Sequence, residues 1–324
     1  MTGPVTVAAL DVGGTSIKAS ILDAHGAVLH RESVVTGVRD GRDAVTENVL
    51  ALARRLVDGF GCAAAGIALP GVVDEAAGTA VRSAALDWRD VPVRRWAEDE
   101  LDVPVAIGHG VRAGALAEAR LGAGRGCPSF LFVSVGTGIA GASVLDGRAE
   151  QGDGGGAGGI GHLVVRPGGP ECACGGRGCL EGVASASAVA RRYRAAGGAA
   201  PGGQVSAQEV QWRARAGDAL AEAVWRDAVA ALADGLAAAA TVLDPHCVIV
   251  GGGLSRAGAA LFAPLRRAFA HRLAFRSAPR LVEAGLGDRA GSLGAGLLAL
   301  ELLGHSLEAL ALEPATAAVV GGLG

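Results

Sequence analysis

The chain has 324 residues and a formal net charge of −3, which leaves no electrostatic case for nucleic acid as a partner. Half of the residues are hydrophobic but only 3% are aromatic, so a core must be built mainly from Ala, Val, Leu and Ile. No stretch of roughly 18 or more residues is both apolar and uncharged, and the N-terminus lacks the basic-then-apolar layout of a secretory signal, so a soluble, cytoplasmic protein with no membrane partner is expected.

Four further features set expectations. The length suits two medium domains or one large domain with a split core. The 53 glycines fall in clusters rather than at a fixed period, which predicts tight loops and argues against a fibre. Of the 29 basic residues only Lys18 is a lysine, so that one position calls for an explanation. In a reducing compartment the six cysteines are thiols or metal ligands rather than disulfides.

The chain opens with three expected strands, Val5 to Leu10, Lys18 to Leu22 and Ala27 to Val34, joined by glycine turns. Residues 41–59 predict a helix, with Val45, Val49, Leu52 and Leu56 spaced three or four apart. "AAGIALPG" reads as a buried strand ending at Pro70-Gly71. Val103 to Ile107 is another strand, followed by a helix through "VRAGALAEARLGAG". "SFLFVSVGTGIAGASVLDG" then starts the same plan again, so the strand and glycine-turn unit of residues 5–34 recurs at 129–147. A glycine-rich segment spans Gly152 to Gly178, and two helices follow, the second from about Ala207 to Leu243. The apolar run from Ala228 to Val242 holds Asp234 and reads as a buried helix. "HCVIVGGGLS" predicts a strand entering a three-glycine turn, with a helix near Ala257 to Ala270, then "RLVEAGLG" and a final helix. Mixed strands and helices in two related halves argue for an α/β fold with a cleft between the halves.

Three glycine loops stand at strand ends. "DVGGTSIK" supplies Asp11, Gly13, Gly14, Thr15 and Lys18. Successive glycine N–H groups can approach phosphate oxygens closely, Thr15 adds a hydroxyl, and Asp11 is placed to hold a hydrated Mg²⁺ through water. The same Gly-Gly is also a common hairpin turn. "VGTGIAG" and "VGGGLS" are the second and third loops, and three together favour a nucleotide site. None is a Walker loop.

"GHLVVRPGGPECACGGRGCLE" brings His162, Cys172, Cys174 and Cys179 within a short segment. One imidazole and three thiolates make a tetrahedral zinc set, and with all four positions filled by protein the ion is structural. Cys62, Cys127 and Cys247 lie on apolar runs and are expected in the core.

Together, "DVGGTSIK", "GHL…CACGGRGCLE" and "GGGLS" resemble the ROK family of bacterial sugar kinases and repressors, over nearly the whole chain. The resemblance implies an α/β fold of two actin-like, ribonuclease-H-like lobes with ATP and a sugar in the cleft. It implies a smaller lobe at residues 1–112, joined by 304–324, and a larger lobe at 113–303 with the zinc loop at 162–179. With the phosphate loop starting at residue 11, the repressors' DNA-binding domain is not expected. By resemblance Asp11, Gly13, Gly14, Thr15, Gly136, Thr137 and Gly138 face the ATP phosphates, and Gly251, Gly252 and Gly253 lie near the adenosine. Lys18 is either a phosphate contact or a plain surface lysine. His162 would ligate zinc and approach the sugar, Glu181 would accept sugar hydroxyls, and Gly71 would line the sugar site. Mg²⁺ would accompany ATP, and the chain would pair as a homodimer or homotetramer.

The sequence departs from the family pattern at the sugar. An Asn-Asp pair is expected after the strand at Val103 to Ile107, its Asp taking the proton of the attacking hydroxyl; here His109 and Gly110 fill those positions. Gly159 replaces a sugar-binding Glu, and Ala85 an Asn. A general base typically supplies about 10²–10⁴-fold, whereas phosphoryl transfer rests mostly on positioning and charge stabilisation. Three roles fit these losses. One is a sugar kinase whose activity is weak or redirected, with His109 as a candidate substitute base or else a hydrogen-bonded turn residue. A second is an inactive pseudokinase that binds nucleotide or sugar in a regulatory or scaffold role. The third is an engineered inactive variant, although three scattered losses fit natural divergence better.

Overall fold

The computed structural model describes residues 5–198 and 205–307. Two five-stranded mixed sheets organise it. In the first, β1 (Thr6–Val12), β2 (Ser16–Asp23) and β3 (Val28–Val35) run antiparallel. Helix α1 (Arg42–Phe60) leads to β4 (Ala64–Leu69), which pairs parallel to β1. A small antiparallel sheet of β5 (Val72–Asp74), β6 (Thr79–Ser83) and β7 (Trp88–Val91) follows, then α2 (Val93–Leu101). β8 (Val105–His109) joins β4 in parallel and runs directly into α3 (Gly110–Leu121). The sheet order is β3-β2-β1-β4-β8.

The second half repeats this order. β9 (Ser129–Val135), β10 (Ile139–Leu145) and β11 (Arg148–Ala149) are antiparallel. Helices α4 (Leu180–Ala184), α5 (Ala186–Ala195), α6 (Ala207–Arg215) and α7 (Ala219–Leu243) intervene before β12 (Cys247–Gly251). Then come α8 (Ala259–Arg272), β13 (Arg280–Glu283) and α9 (Ala290–Leu302). The order β11-β10-β9-β12-β13 mirrors the first sheet strand for strand.

Strand alternation assigns each face to a core. On β1, Ala8, Leu10 and Val12 pack with α1 and α2, while Val7 and Ala9 face α9. On β9, Leu131, Val133 and Val135 face α4 to α8, while Phe130 and Phe132 turn to the same α3–α9 layer as Val7 and Ala9. The two sheets therefore meet across α3 and α9. Glycine lets that layer close: a Cβ on Gly66 would lie 1.9 Å from the Ala295 carbonyl oxygen, and one on Gly294 1.9 Å from that of Ala113. The buried Glu118 carboxylate ties the layer together, accepting the N–H groups of Ala123, Gly285 and Leu286 at 2.7, 3.0 and 2.9 Å.

Four features differ from the sequence pattern. The apolar spacing predicts one helix from Ala207 to Leu243, but the chain breaks at Gly217 (φ +90°), and Asp218 caps α7 by accepting the Ala221 N–H at 3.0 Å. Residues 72–102, unassigned from the pattern, form β5–β7 and α2. The boundary at residue 112 falls inside α3, and α9, expected with the larger lobe, packs on β1, β4, β8 and α3 because its small residues fit there. Of the closing segment 304–324, residues 308–324 lie outside the described residues. Asp234 on α7 is not a bare charge in a core helix: it accepts Arg166 Nη1 at 2.7 Å and also pairs with Arg272. Among the described residues no helix is long and apolar enough to cross a membrane.

Candidate active site

The first glycine loop turns between β1 and β2. Gly13 donates to the Ser16 carbonyl at 3.0 Å, the Thr36 N–H donates to the Thr15 carbonyl at 3.2 Å, and the Thr36 hydroxyl donates to the Gly13 carbonyl at 2.5 Å. Gly14 and Thr15 stay exposed at the tip. Asp11 pairs in register with Lys18 across β1 and β2. Its carboxylate reaches α9, where a Cβ on Gly291 would sit only 2.2 Å from Oδ2, so only glycine admits it. Burial raises the Asp11 pKa to about 6, against the pull of Lys18. The Lys18 ammonium donates to the Asp288 carbonyl at 3.1 Å and lies 3.7 Å from Asp288 Oδ2. Arg256, just after the third loop, lies 3.9 Å from the same oxygen, so Asp288 links the first and third loops. Lys18 is thus held by Asp288 rather than left on the open surface.

The second and third loops also meet. A Cβ on Gly136 would lie 4.0 Å from Gly253 N, and Ala186 N–H donates to the Gly136 carbonyl at 2.8 Å. Gly136 N–H closes the turn on the Gly138 carbonyl at 2.9 Å, around Thr137. Gly252 takes φ +84°, and the Ser255 hydroxyl donates to its carbonyl at 2.8 Å. Gly251, at the end of β12, packs on Phe132 and Ala284. Glu181 is committed to this turn: Oε2 accepts the Ile139 N–H at 2.7 Å, and a Cβ on Gly138 would come within 2.5 Å of the same oxygen.

The four residues of the zinc expectation come together. The ligand atoms of His162, Cys172, Cys174 and Cys179 all lie within 4.8 Å of one another. Cys174 and Cys179 sulfurs are 3.8 Å apart, and Cys172 Sγ is 3.9 Å from His162 Nδ1. Tetrahedral zinc with bonds of about 2.3 Å to sulfur needs a sulfur–sulfur edge of about 3.8 Å. Burial and the neighbouring thiols push the Cys179 thiol up to about 12, a preference that a bound cation reverses. The cluster is compatible with zinc. Cys172 also lies 4.0 Å from Glu181 Oε1, so the cluster leans on the carboxylate that holds the second loop. Cys62 and Cys247 are buried in the cores, and Cys127 is half-buried beside Cys247.

At the mouth of β8 the chain passes from His109 into α3. A Cβ on Gly110 would sit 3.5 Å from Asp11 Oδ1 and 3.6 Å from the Leu69 carbonyl, ordinary contact distances. The position therefore accepts a side chain and faces Asp11, but offers no carboxylate of its own. His109 is 9% exposed and its Nδ1 is buried without a hydrogen-bond partner among the described residues. Burial, helped by the Arg112 charge, lowers its pKa to about 4. By strand alternation its ring shares the face of Val105 and Ile107. Ala85 packs on the first loop, 3.4 Å from a Cβ built on Gly14. Gly71 takes φ +104° against Arg82 and Ser83, and exposed Gly159 shares a single turn with His162.

Sequence reasoning missed the group that crosses this mouth. Arg112, on the first turn of α3, is 4% exposed. Its guanidinium donates to Glu75 Oε1 at 2.8 Å, to the Gly155 carbonyl at 2.9 Å and to that of Val73 at 3.4 Å. Glu75 Oε1 also accepts the His109 N–H at 2.9 Å, and Oε2 accepts Gln151 Nε2 at 2.6 Å. The pattern gave no sign of it, because Glu75 lies in the unassigned stretch 72–102 and Arg112 reads as one more arginine in an arginine-rich chain. Gly291 was missed likewise; its only signal is a glycine inside an apolar helix.

The chain is similar to known proteins over nearly its whole length. The ROK family profile matches residues 7–302. A glucokinase of Halalkalibacterium halodurans is 34% identical over 315 residues, covering 89% of this chain and 93% of that protein. The ROK hexokinase from Thermus thermophilus superposes with a TM-score of 0.78 at 35% identity, over 93% of this chain and all of that one (100%). A ROK family glucokinase from Streptomyces griseus, solved with glucose and AMPPNP, gives a TM-score of 0.82 at 30% identity, over 91% of this chain and 99% of that one. Paired sheets of identical order, glycine loops that meet at their strand ends and a match from residue 7 to residue 302 agree on one conclusion: the chain belongs to the ROK family.

Proposed function

We propose that this protein transfers a phosphoryl group from ATP to a hydroxyl of a hexose or sugar-like molecule, with activity that is weak or redirected. The observation that carries this reading is the contrast at one site. The glycine loops around Asp11, Gly136 and Gly253 are each closed by hydrogen bonds and the second and third meet, while Gly110 beside Asp11 has no carboxylate. Similarity to glucokinases supports the reaction type.

The loop N–H groups of Gly13, Gly14, Thr15, Gly136, Thr137 and Gly138 would bind the phosphates, and Lys18 adds a positive charge behind them. Mg²⁺ arrives with ATP and neutralises phosphate charge; Asp11, ionised above a pH of about 6, would hold its water shell. Gly71, Ala85, His109, Gly159, His162 and Glu181 would border the acceptor. Glu181 contributes only what its bond to Ile139 leaves free. His109 does not serve as the substitute base, because its ring is buried on the strand face of Val105 and Ile107. The acceptor hydroxyl would then lose its proton late, to solvent water, as the phosphoryl group transfers. The cysteine cluster would hold a structural zinc, and the chain would act as a homodimer or homotetramer.

The test is ADP release from Mg-ATP across a panel of hexoses, amino sugars and cyclitols. Acceptor-dependent ADP release is the expected outcome. Nucleotide binding without turnover on any acceptor would overturn the reaction and leave a binding protein, the pseudokinase role.

A further inference from the structure

Two sulfurs outside the cysteine and histidine cluster also come together. Cys127 Sγ and Cys247 Sγ lie 3.5 Å apart, from positions 120 residues apart in the chain. Both are free thiols. Cys247 opens β12, is 1% exposed, and is fixed between β9 and β13. Cys127 is half-buried at the end of the connection from α3 to β9, so a small solute reaches it first. Cys62 shows the contrast: its buried thiol donates to the Leu56 carbonyl at 3.8 Å, with no second sulfur beside it among the described residues.

The connection that carries Cys127 is one of two passages between the halves of the fold. The Gly122 and Gly124 N–H groups donate to the Glu118 carbonyl at 3.1 and 3.0 Å, and the Cys127 N–H turns back to the Gly124 carbonyl at 3.0 Å. The Glu118 carboxylate takes Ala123 from this passage, and Gly285 and Leu286 from the return passage between β13 and α9. A Cβ on Gly285 would sit 3.0 Å from Ala123 N, so the two passages touch. A disulfide needs its sulfurs about 2.05 Å apart, so this pair must close by about 1.5 Å. The turn Gly124–Cys127 supplies that movement more readily than β12, which is hydrogen-bonded on both sides.

We propose that Cys127 and Cys247 are a modification site: a hydroperoxide oxidises them to a reversible disulfide that locks the α3–β9 passage to β12. Burial, then the neighbouring thiol, pushes Cys247 up to about 12, which leaves Cys127 as the thiol that meets the oxidant. The Cys127 sulfur attacks the peroxide, the O–O bond breaks, and Cys127 becomes a sulfenic acid with release of one water from hydrogen peroxide. The Cys247 sulfur then displaces the hydroxyl, which leaves with the Cys247 proton as a second water. Two thiols lose two electrons and one peroxide gains them. A small dithiol reverses the step by exchange and is itself oxidised to a disulfide. The proposal stands apart from the phosphoryl-transfer reading and survives its failure.

The experiment exposes the reduced full chain to stoichiometric hydrogen peroxide, alkylates the remaining thiols, digests without reductant and maps the peptides by mass spectrometry. The parent, Cys127→Ser and Cys247→Ala are compared. The parent should yield the Cys127 and Cys247 peptides joined, about 2 Da lighter than their sum. The product should be absent from both variants and should revert with dithiothreitol. Amide exchange in residues 122–128 should slow at least about fivefold on oxidation of the parent and stay unchanged in Cys127→Ser. If Cys247→Ala fails to fold, the parent map and Cys127→Ser decide the matter, since Cys127 sits half-buried in a turn. Cys127 halting as a sulfenic or sulfinic acid while Cys247 still alkylates would overturn the proposal. Cross-links confined to Cys172, Cys174 and Cys179 would overturn it too, as would a Cys127–Cys247 bond that leaves exchange in the passage unchanged.

Discussion

His109 and Asp11 sit a few ångströms of backbone apart around Gly110 and respond to pH in opposite senses. Burial lowers the His109 pKa from 6.5 to about 4, so between those values the unfolded chain binds a proton that the folded chain refuses. Its contribution is complete above pH 6.5 and is lost as pH falls toward 4, to a total of about 3 kcal/mol. Asp11 goes from 3.8 to about 6, so the folded chain keeps a proton that the unfolded chain releases. Its contribution is complete below pH 3.8 and is lost as pH rises toward 6, again about 3 kcal/mol. Across pH 4–6 the two offset each other. Urea unfolding of Asp11→Asn should therefore show stability falling as pH drops from 6.5 to 4, and His109→Asn should show it falling as pH rises over 4–6. Parallel pH profiles for parent and both variants would contradict this assignment. At this scale the sequence was legible where residue type alone is the observation: Asp11 beside a glycine turn, and no carboxylate at Gly110. It was silent on burial, so the basicity of His109 had to come from the fold.

Between elements, the cysteine loop touches the second glycine loop through Glu181. Cys172 lies against one carboxylate oxygen and the Ile139 N–H donates to the other. Elemental analysis should find one zinc per chain, and Cys174→Ser should lose it. Both that variant and chelation should lower Tm and weaken Mg-ATP binding, because Glu181 loses its backing. Full zinc content in the variant, or unchanged ATP affinity after zinc loss, would separate the two loops. The cluster was legible because thiols at close spacing have few other uses, and the ligand spacing survives folding. Helix boundaries were less so. Apolar spacing runs straight through Ala216-Gly217-Asp218, and only the positive φ of Gly217 and the Asp218 cap show the break. The small sheet β5–β7 was illegible because its strands have three to five residues, too few for a period to emerge.

Over the whole molecule, two sheets of matching order share the α3–α9 layer, and one buried ion pair spans the mouth between them. Arg112 takes Glu75 from the small sheet and the Gly155 carbonyl from the glycine-rich segment that carries Gly159. Glu75 keeps 17% exposure, so removing Arg112 costs less than breaking a fully buried pair, about 2 kcal/mol. Arg112→Ala should lose that much in urea unfolding and speed amide exchange in residues 151–155; an unchanged segment would show that the pair does not hold it. The repeat of architecture was visible in the sequence, but the home of α9 was not, since its partner strands β1, β4 and β8 lie within residues 6–109 of the chain and α9 near its end. The central claim is that a phosphoryl-transfer site persists here without its base. The most direct measurement compares sugar-dependent ADP formation by the parent and by Gly110→Asp. The vacancy beside Asp11 admits the new side chain at contact distance, so the variant should gain about 10²-fold or more in kcat/KM on glucose or another hexose. A variant that folds, binds Mg-ATP and gains nothing on any hexose would contradict the account.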